Sequence, residues 1–338
     1  MKARLSLLGV AALFFALASP GTLPGQSDHA SKLAEGAKKE GKLVWYTSMA
    51  IDTSKPILDA FLRQYPFLKA DLVRAGEEQL LNRTMTETRA GRWLFDVISS
   101  SGVQVLAERD FLTPYLSPEI EAYIKEFRDP QGRWTAVYIN NLVVVYNTQM
   151  VGAKEIPKDY GDLLDPRWKG KIIMDSTDYD WFAALVAAWG RDKAIPYMEQ
   201  LARQQPAWRR GHGLVAQLVG AGEAPLGWAY SFRAERMKNE GAPLDWVETF
   251  NPVVTTVNGI GLSARADHPN AAKLFIDFIL SRKAQEMIQG MRRIPSRKDV
   301  KPSVPKMDQS KLKLRLVPTE AFINLDQYAR EFRRIFGL

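Results

Sequence analysis

Hydroxyl side chains gather at three places where an apolar run gives way to a helical pattern: Thr47 and Ser48, Ser99 to Ser101, and Ser176 and Thr177. Two kinds of chemistry use such residues there. The first N–H groups of a helix lack partners and carry a partial positive charge, so they bind anions. Hydroxyls also cap helix ends, and one side chain can serve both uses. Asp178, Tyr179 and Asp180 follow directly and would suit a cation or an amine, or else form a polar loop. Tyr46, Trp181, Trp228 and Tyr230 lie near strand ends, where aromatics either wall an apolar ligand portion or fill the core. The chain has three histidines, His29, His212 and His268, and no cysteine. Thiol nucleophiles, disulfides and zinc–thiolate sites are therefore excluded. No G-x-S-x-G, phosphate-loop, H-E-x-x-H or paired-carboxylate signature occurs, so the sequence points away from an enzyme and calls for no cofactor or metal.

The elements that must position these residues alternate. Residues 42–47 read as a strand, 54–65 as a helix with Pro56 in its first turn, 69–74 as a strand and 77–90 as a helix. Residues 94–99 give a third strand, followed by a helix over 103–109. This order predicts a parallel α/β sheet with helices on its faces. The run 141–147 is continuously apolar and β-branched, as in a buried or crossing strand. Strands at 171–174 and 225–230 alternate with helices near 181–189, 193–204, 214–221 and 231–238. Residues 253–263 read as a strand pair or one long crossing strand. Residues 270–289 give the strongest helical pattern, with Pro269 at its start, Leu274, Phe275, Phe278 and Ile279 in its stripe, and Gly290 at its end. Two α/β lobes joined by crossing strands make a cleft, and ligands of open α/β sheets bind beyond the carboxyl ends of the strands.

Lys2 and Arg4 precede an uncharged run from Leu5 to Ala18, which Ser19, Pro20 and Gly21 interrupt. A basic start, a short apolar run and small residues at Ala16 and Ala18 predict a cleaved signal peptide over 1–18, with the mature chain starting at about 19–27. Export to the periplasm follows as an expectation. The formal net charge of +8 falls to +6 when Lys2 and Arg4 leave. That excess suits an anionic ligand or membrane surface, or simple solubility. The basic residues are spread along the chain without a nucleic-acid-binding motif, so no nucleic acid is expected.

Several stretches carry a family resemblance: WYTS (45–48), FDVISSS (95–101), VVVYNT (143–148), DLLDPRWKGKI (162–172), AGE (221–223) and HPNAAKLFIDFILS (268–281). Together they resemble the extracellular solute-binding proteins of the ferric-binding type, from about Lys42 to about Val300. The resemblance implies a type II periplasmic-binding-protein fold, an ABC permease in the inner membrane as partner, and a monomer that captures a small-molecule ligand. It implies lobe 1 over about 28–139 plus 256–290, and lobe 2 over about 140–255 plus 291–338. Ferric-binding members hold iron with a histidine, a glutamate and two adjacent tyrosines. Those positions fall here at about Ala50, Ser101, Phe232 and Arg233, and none offers the phenolate or carboxylate oxygen that Fe(III) prefers. The positions that contact an accompanying anion fall at Ser176 and Thr177, with His212 and Tyr230 nearby and Arg233 adding a fixed charge. The ligand set expected on these grounds is Thr47, Ser48, Ser100, Ser101, Ser176, Thr177, Asp178, His212, Tyr230 and Arg233. The expected solute is a small anion, such as an organic acid, phosphonate or phosphorylated metabolite. Ferric iron, an iron–anion complex, a ligand-presenting sensor subunit and a periplasmic enzyme are the alternatives.

Overall fold

The computed structural model describes residues 24–338, with side chains from residue 28 onward. The expected signal segment, 1–18, lies outside the described residues. In chain order the helices and strands are α1 (Pro24–Glu40), β1 (Lys42–Thr47), α2 (Ile51–Gln64), β2 (Lys69–Arg74), α3 (Glu77–Arg89), β3 (Val97–Ser100), α4 (Val103–Glu108) and β4 (Leu112–Thr113). Then come β5 (Thr135–Asn147), β6 (Ile172–Asp175), α5 (Tyr179–Trp189), α6 (Arg191–Arg203), β7 (Ala207–Arg209), α7 (His212–Gly220), β8 (Leu226–Tyr230) and α8 (Ser231–Asn239). The chain ends with β9 (Leu244–Trp246), β10 (Val253–Ser263), α9 (Pro269–Leu280), α10 (Arg282–Gly290), β11 (Ile294–Pro295), β12 (Leu314–Leu316), α11 (Thr319–Ile323) and α12 (Leu325–Phe336).

The main strand order is β2-β1-β3-β10-β5-β8-β6-β7. β1 pairs in parallel with β2 and β3, and β6 pairs in parallel with β8 and β7. Between these parallel groups run β10 and β5, antiparallel to each other over most of their length. These two long strands enter both halves of the molecule, so they join one α/β lobe (lobe 1, around β1–β3) to the other (lobe 2, around β6–β8). Their sequences explain the role. Apart from half-buried Tyr146, every residue of β5 and β10 is buried, as suits strands covered on both faces. The crossing element at 253–263 is thus one strand. The other begins at Thr135, earlier than the run from 141 suggested, because Val137, Tyr138 and Ile139 continue the β-branched and aromatic pattern. β10 shifts register between Asn258 and Gly259. A Cβ on Gly259 would stand 2.6 Å from Val103 Cγ1, so only glycine lets α4 pack against the strand there.

Helix α9 buries Leu274, Phe275, Phe278 and Ile279 on lobe 1, where Phe275 packs 4.8 Å from Trp45 and 5.0 Å from Phe61 between ring centroids. Each such burial contributes about 1.5–3 kcal/mol. The long helix expected over 270–289 is two helices. Ser281 takes an extended conformation (φ −64°, ψ 155°), and its hydroxyl accepts from Ala284 N, which caps α10. α2 starts at Ile51, three residues before the expected Ser54, so Pro56 sits inside it and removes one intrahelical hydrogen bond. α12 packs on α5 and α6, and its Phe332 meets Phe182 and Tyr179 of α5. Among the described residues no helix is long and apolar enough to cross a membrane.

Candidate functional site

The carboxyl ends of β1 and β3 in lobe 1, and of β6, β7 and β8 in lobe 2, bring the expected residues to the cleft. In lobe 1 the hydroxyls of Thr47, Ser48 and Ser100 and the Ser101 N–H are already engaged. Thr47 is fully buried; its hydroxyl meets Ser99 Oγ at 2.6 Å and accepts from Met49 N. The Ser48 hydroxyl accepts from Asn258 Nδ2 at 3.2 Å, a link between the β1–α2 turn and the crossing strand β10. Ser100 donates its hydroxyl to Glu77, and the same carboxylate accepts from Ser101 N at 2.9 Å and Gly102 N at 2.8 Å. A protein carboxylate from α3 therefore fills the N–H cradle after β3. Pattern reading missed Glu77, because it stands more than twenty residues away in sequence and only folding places it there.

Lobe 2 differs. The Thr177 hydroxyl donates to Asp175 Oδ1 at 2.7 Å, and Asp175 also accepts from Thr177 N and Gly211 N. Asp175 thus ties the β6–α5 turn to the β7–α7 turn. Ser176 is half-buried beside them. His212 Nε2 lies 2.7 Å from Asp178 Oδ1, and the imidazole packs on Tyr230 with ring centroids 4.5 Å apart. Burial alone would lower the imidazole pKa, but the Asp178 charge, the Asp178 hydrogen bond and Asp175 outweigh it and raise His212 to about 9. The ring is a cation at neutral pH and keeps 16% of its side-chain surface exposed. Asp178, expected to meet a cation or an amine, is instead fully buried against His212. Burial, and next to it the Asp178 charge, pushes Asp180 up to about 6. Of the four aromatics proposed as a wall, Tyr46, Trp181 and Trp228 are core residues, and half-buried Tyr230 stands at the cleft.

Arg233 projects from the first turn of α8, its Nε 3.9 Å from the position a Cβ on Gly213 would take. It lines a pocket of about 310 Å³ with Phe232, Asp52, Thr53, Arg236 and Arg293. The pocket lies between α2 of lobe 1, α8 of lobe 2 and the segment following α10. Its carboxylates are taken: Arg236 holds Asp52 at 3.2 Å and Glu240 at 3.2 Å. Among the described residues neither Arg233 nor Arg293 has a carboxylate within ion-pair distance. Burial and the neighbouring Arg293 and Arg236 lower the Arg233 pKa, the sign of a guanidinium among like charges. Arg293 is 8% exposed and reaches only Asn140 Oδ1 at 3.4 Å and Thr53 Oγ1 at 3.5 Å. Sequence reading did not select Arg293. It sits in no motif, and β11, which pairs with β5 at Ile139 and Tyr138, places it.

The family model for bacterial extracellular solute-binding proteins matches residues 95–324. The Fe(3+)-binding periplasmic protein of Serratia marcescens is 25% identical over 300 residues, covering 86% of this chain and 85% of that protein. Iron-bound HitA from Pseudomonas aeruginosa superposes with a TM-score of 0.78 at 20% identity, covering 88% of this chain and 99% of that one. The periplasmic binding protein AfuA from Actinobacillus pleuropneumoniae, with fructose-6-phosphate bound, superposes with a TM-score of 0.70 at 26% identity, covering 88% and 97%. The two-lobed sheet with its crossing strands is thus the type II periplasmic binding fold, and the chain belongs to the bacterial extracellular solute-binding protein family.

Proposed function

We propose that this protein is the periplasmic substrate-binding component of an ABC importer, and that it captures a small anionic solute by closure of its two lobes. The observation that carries the anion reading is the pair Arg233 and Arg293. An unpaired charge removed from water is costly, and a protein retains it where a counter-ion arrives. A guanidinium fork accepts a carboxylate or phosphate through two parallel hydrogen bonds. His212, its charge balanced by Asp178, offers a polar ring edge, and Ser176 supplies a hydroxyl. AfuA, which holds a phosphorylated sugar, supports an organic acid, phosphonate or phosphorylated metabolite as the solute. The lobe limits of 28–139 with 256–290 and 140–255 with 291–338 belong to the same proposal. The packing of α12 on α5 and α6 supports giving the C-terminal segment to lobe 2. Capture is then a population shift toward the closed form that the permease recognises.

Ferric iron is the second reading, favoured by what the Serratia and Pseudomonas proteins are named for. Against it stand Ala50, Ser101, Phe232 and Arg233 at the expected ligand positions; the last would face the metal with a positive charge. Native mass spectrometry of protein recovered from the periplasm separates the two. A retained organic anion supports the proposal. Retained iron, or an iron–phenolate absorption band on adding ferric salt, sinks it.

A further inference from the structure

We propose that Phe232 is the positioning residue of the anion site, holding Arg293 and Arg233 as a clamp for a doubly charged oxyanion head group. The inference rests on the anion reading above and narrows it to dianions. The guanidinium carbon of Arg293 lies 4.0 Å from the ring centroid of Phe232, and that of Arg233 lies 5.5 Å from it. Two like charges set against one ring repel each other. The negative face of an aromatic ring attracts a cation, more strongly when both are out of water, and Phe232 is only 7% exposed. Arg293 has little else to hold it, since both its hydrogen bonds are long and go to neutral groups; the Tyr138 ring, 4.9 Å away, completes its surroundings. Phe232 is itself oriented, because its ring stacks on Tyr230 at 5.9 Å and 16°, and Tyr230 packs on His212. A lone carboxylate neutralises one guanidinium and leaves the other. A dianion with several outward oxygens accepts from both forks.

The test is titration calorimetry of the full mature chain at pH 8 with inorganic phosphate and with acetate, on wild type, Phe232→Leu, Phe232→Met and Phe232→Tyr. Thermal melts of each variant run alongside. Wild type should bind phosphate at least roughly tenfold more tightly than acetate. The two ringless variants should lose roughly tenfold in phosphate affinity, while Phe232→Tyr keeps it. Three results overturn the proposal: ringless variants that retain phosphate affinity, an equal loss in Phe232→Tyr, or wild type that prefers acetate or binds no phosphate. The broader anion reading is judged separately, by the mass of the solute retained from the periplasm.

Discussion

The two walls of the cleft begin from the same sequence signal and end in opposite states. After β3, the hydroxyl and N–H groups of Ser100, Ser101 and Gly102 close around Glu77, so the lobe 1 cradle is filled by the protein itself. Across the cleft, Asp175 and Asp178 lie beneath the surface. There they order the turns and charge His212, while Arg233 above them keeps no carboxylate. Hydroxyls at a strand–helix junction therefore do not by themselves mark an anion site. The outcome depends on whether a carboxylate from a neighbouring element reaches the cradle first. Lobe 2 keeps its acids buried against His212 and leaves Arg233 without a carboxylate partner among the described residues.

The largest effect that would sharpen this contrast is on affinity. Arg233→Ala should weaken binding of the anionic solute by about 2–3 kcal/mol, roughly a hundredfold, while Ser48→Ala on the opposite wall changes it by less than about threefold. Calorimetric titration reads both, and a reversed ranking would break the comparison. Next in size is stability. Glu77→Ala leaves the Ser100 hydroxyl and the Ser101 N–H without their acceptor, while the Gly102 N–H keeps Ser100 Oγ, and urea unfolding should show a loss of about 2 kcal/mol, with Glu77→Gln recovering part of it.

A smaller effect concerns pH. His212 rises from 6.5 to about 9 on folding, so its pairing contributes full stability below pH 6.5 and loses it as pH climbs through 9. The wild-type melting temperature should fall between pH 7 and 9.5, and Asp178→Asn should flatten that part of the profile. An unchanged profile would mean that Asp178 does not charge the ring. The smallest effect belongs to the cross-cleft pair of Asp52 and Arg236, both well exposed. Asp52→Asn should shift solute affinity by less than about 1 kcal/mol and mainly alter its salt dependence, as measured by titration at two ionic strengths.

Much of the fold was legible because period and length speak plainly in a chain like this. The β-α-β-α-β opening, the buried runs at 141–147 and 253–263, and the apolar stripe of Leu274, Phe275, Phe278 and Ile279 all became the elements their patterns implied. The break at Ser281 was not legible, since helical periodicity continues across it and only a local capping bond stops the first helix. For the site, sequence supplied the residues but not their partners. Asp178 read as a ligand contact, yet folding put His212 over it. Arg293 and Glu77 carry no motif; β11 pairing and the first turn of α3 bring them to the cleft. A short-range pattern cannot report a long-range counter-charge, and counter-charges decide which polar group faces the solute.

The most direct measurement is a structure of the protein with the solute it retains. The solute's negatively charged oxygens should lie within hydrogen-bond distance of the guanidinium groups of Arg233 and Arg293, with Glu77 still seated in the lobe 1 cradle. A solute whose charged group displaces Glu77, or an iron ion held in the cleft, would contradict that prediction.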